Sequence, residues 1–278
     1  MSAKRPVLAL PPSVLVEILL AAERIDSIVV GGQALNIWGE HFYSRAHEDL
    51  AGFAPFTSKD IDFFGNAAAA RTLADRLKAH VQVPDPFHIG TPNSAIVKVV
   101  VDGHTYVVDF IDQVLGIDTG RMVERAPILG LPLPTSTGSR DTEVRLLHPL
   151  DVLKTRIVGI TILNRTDDTA KRQMGAAPIV AREYIRDLLE ISDQDDGAKS
   201  VAQDLVRELI HLGSAPDQDP IFRDLRIDLL DAAADLADHP AWDPRFAQHQ
   251  IREAIEREKR RRDRRLQETR RRRERLGS

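Results

Sequence analysis

The chain has 278 residues, 42% hydrophobic and 29% charged, enough apolar material for one large or two ordinary domains. This composition excludes a disordered, collagen-like or membrane-embedded bulk, and the lack of cysteine removes disulfides, thiolate chemistry and cysteine zinc sites while fitting a cytoplasmic protein. The net charge of −4 conceals an asymmetry: residues 1–250 carry −11 and residues 251–278 carry +7, a distribution that bears on partners rather than on fold.

Lys4 and Arg5 precede an apolar stretch, but Pro11, Pro12 and Glu17 interrupt it, so a signal peptide is not expected. Ser13 is placed as the cap of a helix over residues 13–24, with Val14, Leu15, Ile18 and Leu19 on one face. Residues 27–30 read as a short buried strand that ends at Gly31-Gly32, and residues 33–38 as a helix. Residues 40–57 lack a period and contain Gly52 and Pro55, which reads as a loop. A strand over 61–64 and an alanine-rich helix over 67–80 follow. Residues 84–94, with three prolines, are expected to be irregular. Two β-branched runs, 96–101 and 105–111, meet at Asp102-Gly103, the signature of a two-residue hairpin.

Residues 126–142, rich in proline, glycine, serine and threonine, read as a linker or long surface loop. From Pro149 the pattern is helical, over about 149–163, 167–191, 198–212, 219–237 and 243–275. The expected architecture is a mixed α/β sheet core over 1–140, a helical domain over 141–240 and a basic C-terminal helix over 241–278. No run of about 18 apolar residues suggests a membrane span.

The chemistry concentrates in two segments. Asp60 and Asp62 lie two apart on a strand, so their carboxylates share one face while Ile61 and Phe63 point to the core. Adjacent like charges are unfavourable unless a cation bridges them, and magnesium does so with one or two carboxylates plus substrate phosphates. Asp109, within Val107-Val108-Asp109-Phe110-Ile111, is a third acid in an apolar strand; it suits either a metal site or a general base. Gly31-Gly32 stands where a strand turns into a helix, where bare backbone can approach a phosphate. Each feature alone has a plainer reading: a tight turn, a strand-end cap, a buried acid paired with arginine. Their joint occurrence in this order favours phosphoryl transfer.

The combination resembles the nucleotidyltransferase superfamily. Gly31-Gly32-Gln33-Ala34-Leu35 and Lys59-Asp60-Ile61-Asp62-Phe63 are similar to the corresponding motifs of the AbiEii-type toxin nucleotidyltransferases, as is the stretch His148-Pro149-Leu150-Asp151-Val152-Leu153-Lys154-Thr155-Arg156. One departure is that 27 residues separate Gly32 from Asp60, more than is usual in that superfamily. The resemblance implies that Gly31 and Gly32 contact a triphosphate, that Asp60 and Asp62 hold magnesium, and that Asp109 completes the metal site or acts as base. It also implies that Lys154 or Arg156, with Arg156 preferred, offsets triphosphate charge. The implied activity is magnesium-dependent transfer of a nucleoside monophosphate from an NTP to an acceptor hydroxyl. An antitoxin partner follows from the same likeness. A catalytically degenerate nucleotide- or RNA-binding regulator is the competing expectation.

Nine histidines show no metal-ligand spacing, so zinc is not expected; His41, His47 and His88 read as surface residues. Gln173, Arg182 and Asp187 read as a solvated helix face. The arginine-rich tail is open to three readings: a solvated helix, a nucleic-acid-binding arm, or a partner helix with a poor heptad. The tail favours RNA, such as tRNA, as acceptor over a protein or a small molecule.

Overall fold

The computed structural model describes residues 9–84, 93–192 and 194–276. The expectations for Lys4, Arg5, His88 and most of the irregular 84–94 stretch lie outside these residues. Contacts divide the chain into two units, Met1–His41 with Ala54–Thr155, and Phe42–Phe53 with Arg156–Ser278. Composition alone puts a single boundary near residue 140. Among the described residues no helix is long and apolar enough to cross a membrane.

In the first unit, α1 (Pro12–Ala22) begins on a proline, with Pro11 rather than Ser13 at the N-cap. Proline is tolerated there because the first N–H of a helix has no intrahelical acceptor. Strand β1 (Ile28–Val30) is buried throughout and runs directly into α2 (Gly31–Tyr43). Gly39 does not stop that helix. It leaves room for the Phe56 ring, which a Cβ would meet at 2.7 Å.

The expected loop over 40–57 is therefore mostly helical. After α2 come α3 (His47–Leu50) and a 3₁₀ turn, Ala51–Phe53. The apolar period is present but short: Phe42, Ala46 and Leu50, four apart, are all buried.

Strand β2 (Ile61–Phe64) leads to α4 (Ala67–Leu77), whose N-cap Asn66 accepts from the Ala68 and Ala69 amides. Lys78 adopts a left-handed conformation and ends the helix, so His80 opens β3 (His80–Gln82) instead of closing α4. That strand was not expected: three residues without an apolar run are defined only by pairing with a neighbour. The neighbour is β4 (Asn93–Val101), joined to β5 (His104–Ile111) through Asp102-Gly103. Both turn residues have positive φ, +51° and +73°, as a type I′ turn requires.

The five strands form a sheet in the order β1-β2-β5-β4-β3, with only β2 and β5 parallel. Ile61, Phe63, Val97, Val108 and Phe110 are buried, and the Phe63 and Phe110 rings stack at 5.3 Å.

Beyond α5 (Thr119–Arg125), the expected linker at 126–142 is instead a hairpin. Strands β6 (Ile128–Thr135) and β7 (Gly138–Arg145) pair antiparallel as a second, two-stranded sheet. Pro132 and Pro134 disguise it, but each strand of a two-stranded ribbon has a free edge, where proline is tolerated. The chain then returns to β1: the Leu147 amide donates to Val29 O at 2.9 Å, and Trp38 Nε1 donates to Leu147 O at 3.0 Å. His148 Nδ1 accepts from the Leu150 amide at the start of α6 (Pro149–Thr161).

The second unit is built on α7 (Asp168–Glu190) and α8 (Asp196–Ser214). The expected helix over 219–237 is broken. A π-helical turn, Ile221–Leu225, ends at left-handed Arg226 and is followed by the short α9 (Leu229–Ala234). A single turn, α10 (Pro244–Phe246), passes through another π-helical turn into α11 (Glu253–Leu276).

The segment 42–53 is tied to α7 by charge and by close packing. Arg45 Nε donates to Glu183 Oε2 at 2.9 Å, and Arg45 also pairs with Asp187. Arg182 reaches Glu183 Oε1 at 2.8 Å, Asp235 Oδ2 at 2.7 Å, and Asp49. Gly175 has no Cβ to obstruct the Phe53 ring. Arg182 is buried rather than on a solvated face, and Glu183 is 0% exposed.

Candidate active site

Two strand-borne acids, Asp62 and Asp109, lie beside a glycine turn in the five-stranded sheet, with Asp60 just before β2. Asp62 is the register partner of Asp109 across the parallel β2–β5 pair, so both side chains leave the same face. Asp60, just before β2, is exposed and close enough to Asp109 to act on its charge. Ile61, Phe63, Val108 and Phe110 alternate with these acids and are buried on the other face. The strand pattern therefore fixes the acids by fixing the core.

On the other side of β2, Val30 is the register partner of Asp62, so the β1–α2 turn begins beside it. Gly31 has φ +67°, and a Cβ there would overlap the Asp62 carboxylate. Glycine is required on both counts: the left-handed conformation is costly for other residues, and the carboxylate occupies the side-chain space. Gly31 and Gly32 form the first turn of α2, whose leading N–H groups lack intrahelical partners and carry the positive end of the helix dipole.

Burial raises the pKa of the Asp109 carboxyl above the ordinary aspartate value, and the Asp60 charge raises it further. A hydrogen bond from Asn93 Nδ2 to Asp109 Oδ1, at 2.9 Å, opposes that rise. Ser58 Oγ donates to Asp60 Oδ1 at 3.2 Å. Asn93 escaped the sequence reading: it falls in a proline-rich stretch, and only the β4–β5 pairing brings it to the acids.

The donor set consists of carboxylate oxygens, which suits magnesium or calcium rather than zinc or copper. Among the described residues no group of three or more His, Asp or Glu side chains is arranged to hold a metal ion. Magnesium takes one or two protein carboxylates and fills its octahedron with water and substrate oxygens, so it does not require three.

Lys154 and Arg156 each have a partner outside the glycine turn. Lys154 Nζ lies 3.5 Å from Asp151 Oδ1. Asp151 is buried and also accepts from Arg125, at 2.7 and 2.5 Å, so it anchors α6 in the first unit. Arg156 belongs to the second unit, where Nη1 donates to Gln173 Oε1 at 2.5 Å. There it lines a cavity of about 100 Å³ together with Arg165, Thr169 and Gln173.

Neither protein-family models, curated proteins nor solved structures give a match to this chain.

Proposed function

We propose that the protein is a magnesium-dependent nucleotidyltransferase that moves a nucleoside monophosphate from an NTP to an acceptor hydroxyl, releasing pyrophosphate. The observation that carries this reading is the contact between the glycine turn and the acid cluster. Gly31 lies against Asp62, Asp62 is in register with Asp109, and Asp60 is close enough to Asp109 to raise its pKa. A phosphate-binding helix start and a carboxylate pair at one place are what phosphoryl transfer needs.

Asp60 and Asp62 would hold magnesium, which when bound neutralises charge on the phosphates. Gly31 and Gly32 offer backbone N–H groups to the triphosphate at the start of α2. Asp109 either completes the metal set or takes the proton of the incoming hydroxyl. A carboxylate with a raised pKa is the better base, and Asn93 fixes its orientation by holding Oδ1. The phosphate role of Lys154 or Arg156 rests on the family resemblance alone.

RNA, tRNA included, is the favoured acceptor because the basic tail suits a polyanion. A toxin role opposed by an antitoxin protein belongs to the same reading. The test is incubation with each NTP labelled at the α-phosphate, with magnesium and total RNA or lysate. Label in RNA, protein or a small molecule supports transfer and identifies the acceptor class. NTP binding without label transfer from any nucleotide would favour a regulator with a degenerate core.

A further inference from the structure

Helix α11 has two faces that use their charges differently. Ile251, at the end of the preceding turn, begins a seam with Ile255, Glu258, Arg262 and Arg265, spaced four, three, four and three apart. This seam packs on the second unit: Ile251, Ile255 and Arg262 are at most 4% exposed. Arg262 makes two bonds to Asp228, at 2.6 and 2.7 Å, and its guanidinium lies 3.8 Å from the centroid of Phe222. Arg265 bonds Asp219 at 2.9 Å, and Lys259 bonds Asp231 at 2.8 Å. This face of the tail is thus not an arm, because Lys259, Arg262 and Arg265 are taken up by acids of the body.

A second stripe lies on the opposite side. Arg257, Arg260, Arg264, Arg271 and Arg275 are spaced three, four, seven and four apart, and all are exposed. The buried seam fixes the direction in which this stripe points. It runs for about 27 Å along the helix at 1.5 Å per residue.

We infer that the exposed arginine stripe of α11, centred on Arg260, Arg264 and Arg271, is a docking surface for the phosphodiester backbone of a nucleic acid. It rests on the transferase reading only in that a bound RNA would be the acceptor. Two features select this partner. The cations of the stripe are all arginine, with Gln267 and Glu268 between Arg264 and Arg271, and guanidinium pairs with phosphate oxygens in a bidentate fork. It contains no aromatic or aliphatic residue, and the apolar side chains Ile251, Ala254 and Ile255 are packed inside the unit; a membrane-surface helix needs that face free.

The test is binding of a fluorescent RNA hairpin to the full chain across a salt series, compared with the triple variant Arg260→Gln/Arg264→Gln/Arg271→Gln. A DNA duplex, polyglutamate and phosphatidylserine vesicles are run in parallel. The variant is expected to keep the wild-type thermal melt, to bind RNA at least tenfold more weakly in low salt, and to lose about 2–3 from the slope of log K against log salt. RNA and DNA binding alike would mark a general backbone reader, and RNA alone a reader of A-form geometry; both support the inference. Unchanged affinity and slope in the variant, or tighter binding of polyglutamate or vesicles than of nucleic acid, would overturn it. The variant Asp60→Asn/Asp62→Asn should bind RNA normally, so failure of the stripe and failure of the catalytic reading give different results.

Discussion

The Asp62 carboxylate occupies the space that a Cβ on Gly31 would need, while Gly31 itself has a positive φ. Gly31→Ala therefore meets both a conformational cost of about 1–2 kcal/mol and a displacement of Asp62. The variant should lose at least about 100-fold in nucleotide transfer, as expected when a catalytic group moves by about 1 Å. The comparison is Gly103→Ala, also at positive φ but with nothing near its Cβ. It should lose stability with activity intact. Equal activity loss in the two variants would separate Gly31 from the site.

Asp109 is costly to the fold. Its pKa is raised by burial and by Asp60, so the native state favours the protonated form more than the unfolded chain does. The stability this group contributes is present below the unfolded value of 3.8 and is lost as pH rises through the folded value. Asp109→Asn removes the titration and should melt higher than the wild type at neutral pH, with the gap shrinking toward about pH 4. The same variant should be nearly inactive. Thermal melts at several pH values check the first outcome, and a wider gap at acid pH would contradict it. Magnesium should raise the melting temperature of the wild type more than that of Asp109→Asn.

Much of this site was legible before the fold. The β2 and β5 patterns place acids between buried apolar residues, and Asp102-Gly103 specifies the hairpin that carries Asp109. Two kinds of feature were not legible. Strand β3 is defined by its cross-strand partner alone, and in the β6–β7 ribbon the alternation of Leu129, Leu131 and Leu133 is masked by the intervening Gly130, Pro132 and Pro134, which read as loop residues. The apolar period of Phe42, Ala46 and Leu50 is short, and the segment is held by ion pairs distant in sequence: Arg45 with Glu183, 138 residues on, and Asp49 with Arg182, 133 residues on.

Arg182 should matter to stability. It is buried among Asp49, Glu183 and Asp235, and removing one partner of a buried ion pair leaves charge uncompensated. Arg182→Ala should cost about 3–5 kcal/mol. Arg45→Ala should cost less, because the Arg45 side chain is 29% exposed and that of Arg182 8%. Denaturant melts test this order, and a cost below about 1 kcal/mol for Arg182→Ala would mean that the network adds nothing.

The two faces of α11 give a second stability contrast. Arg262→Ala breaks the bonds to Asp228 and the contact with Phe222, and about 3 kcal/mol or more is expected. Arg264→Ala, two residues on and exposed, should change stability by less than about 0.5 kcal/mol. Similar costs at the two positions would remove the distinction between a docked seam and an exposed stripe.

Transfer of labelled nucleoside monophosphate by the wild type, Asp60→Asn and Asp62→Asn, with all four NTPs, magnesium and total RNA, tests the catalytic reading most directly. The wild type should label an acceptor only with magnesium present, and both variants should fall by at least about 10³-fold, as when groups that stabilise transition-state charge are removed, while melting like the wild type or higher. Undiminished transfer by either folded variant, or transfer by the wild type in the presence of a magnesium chelator, would contradict it.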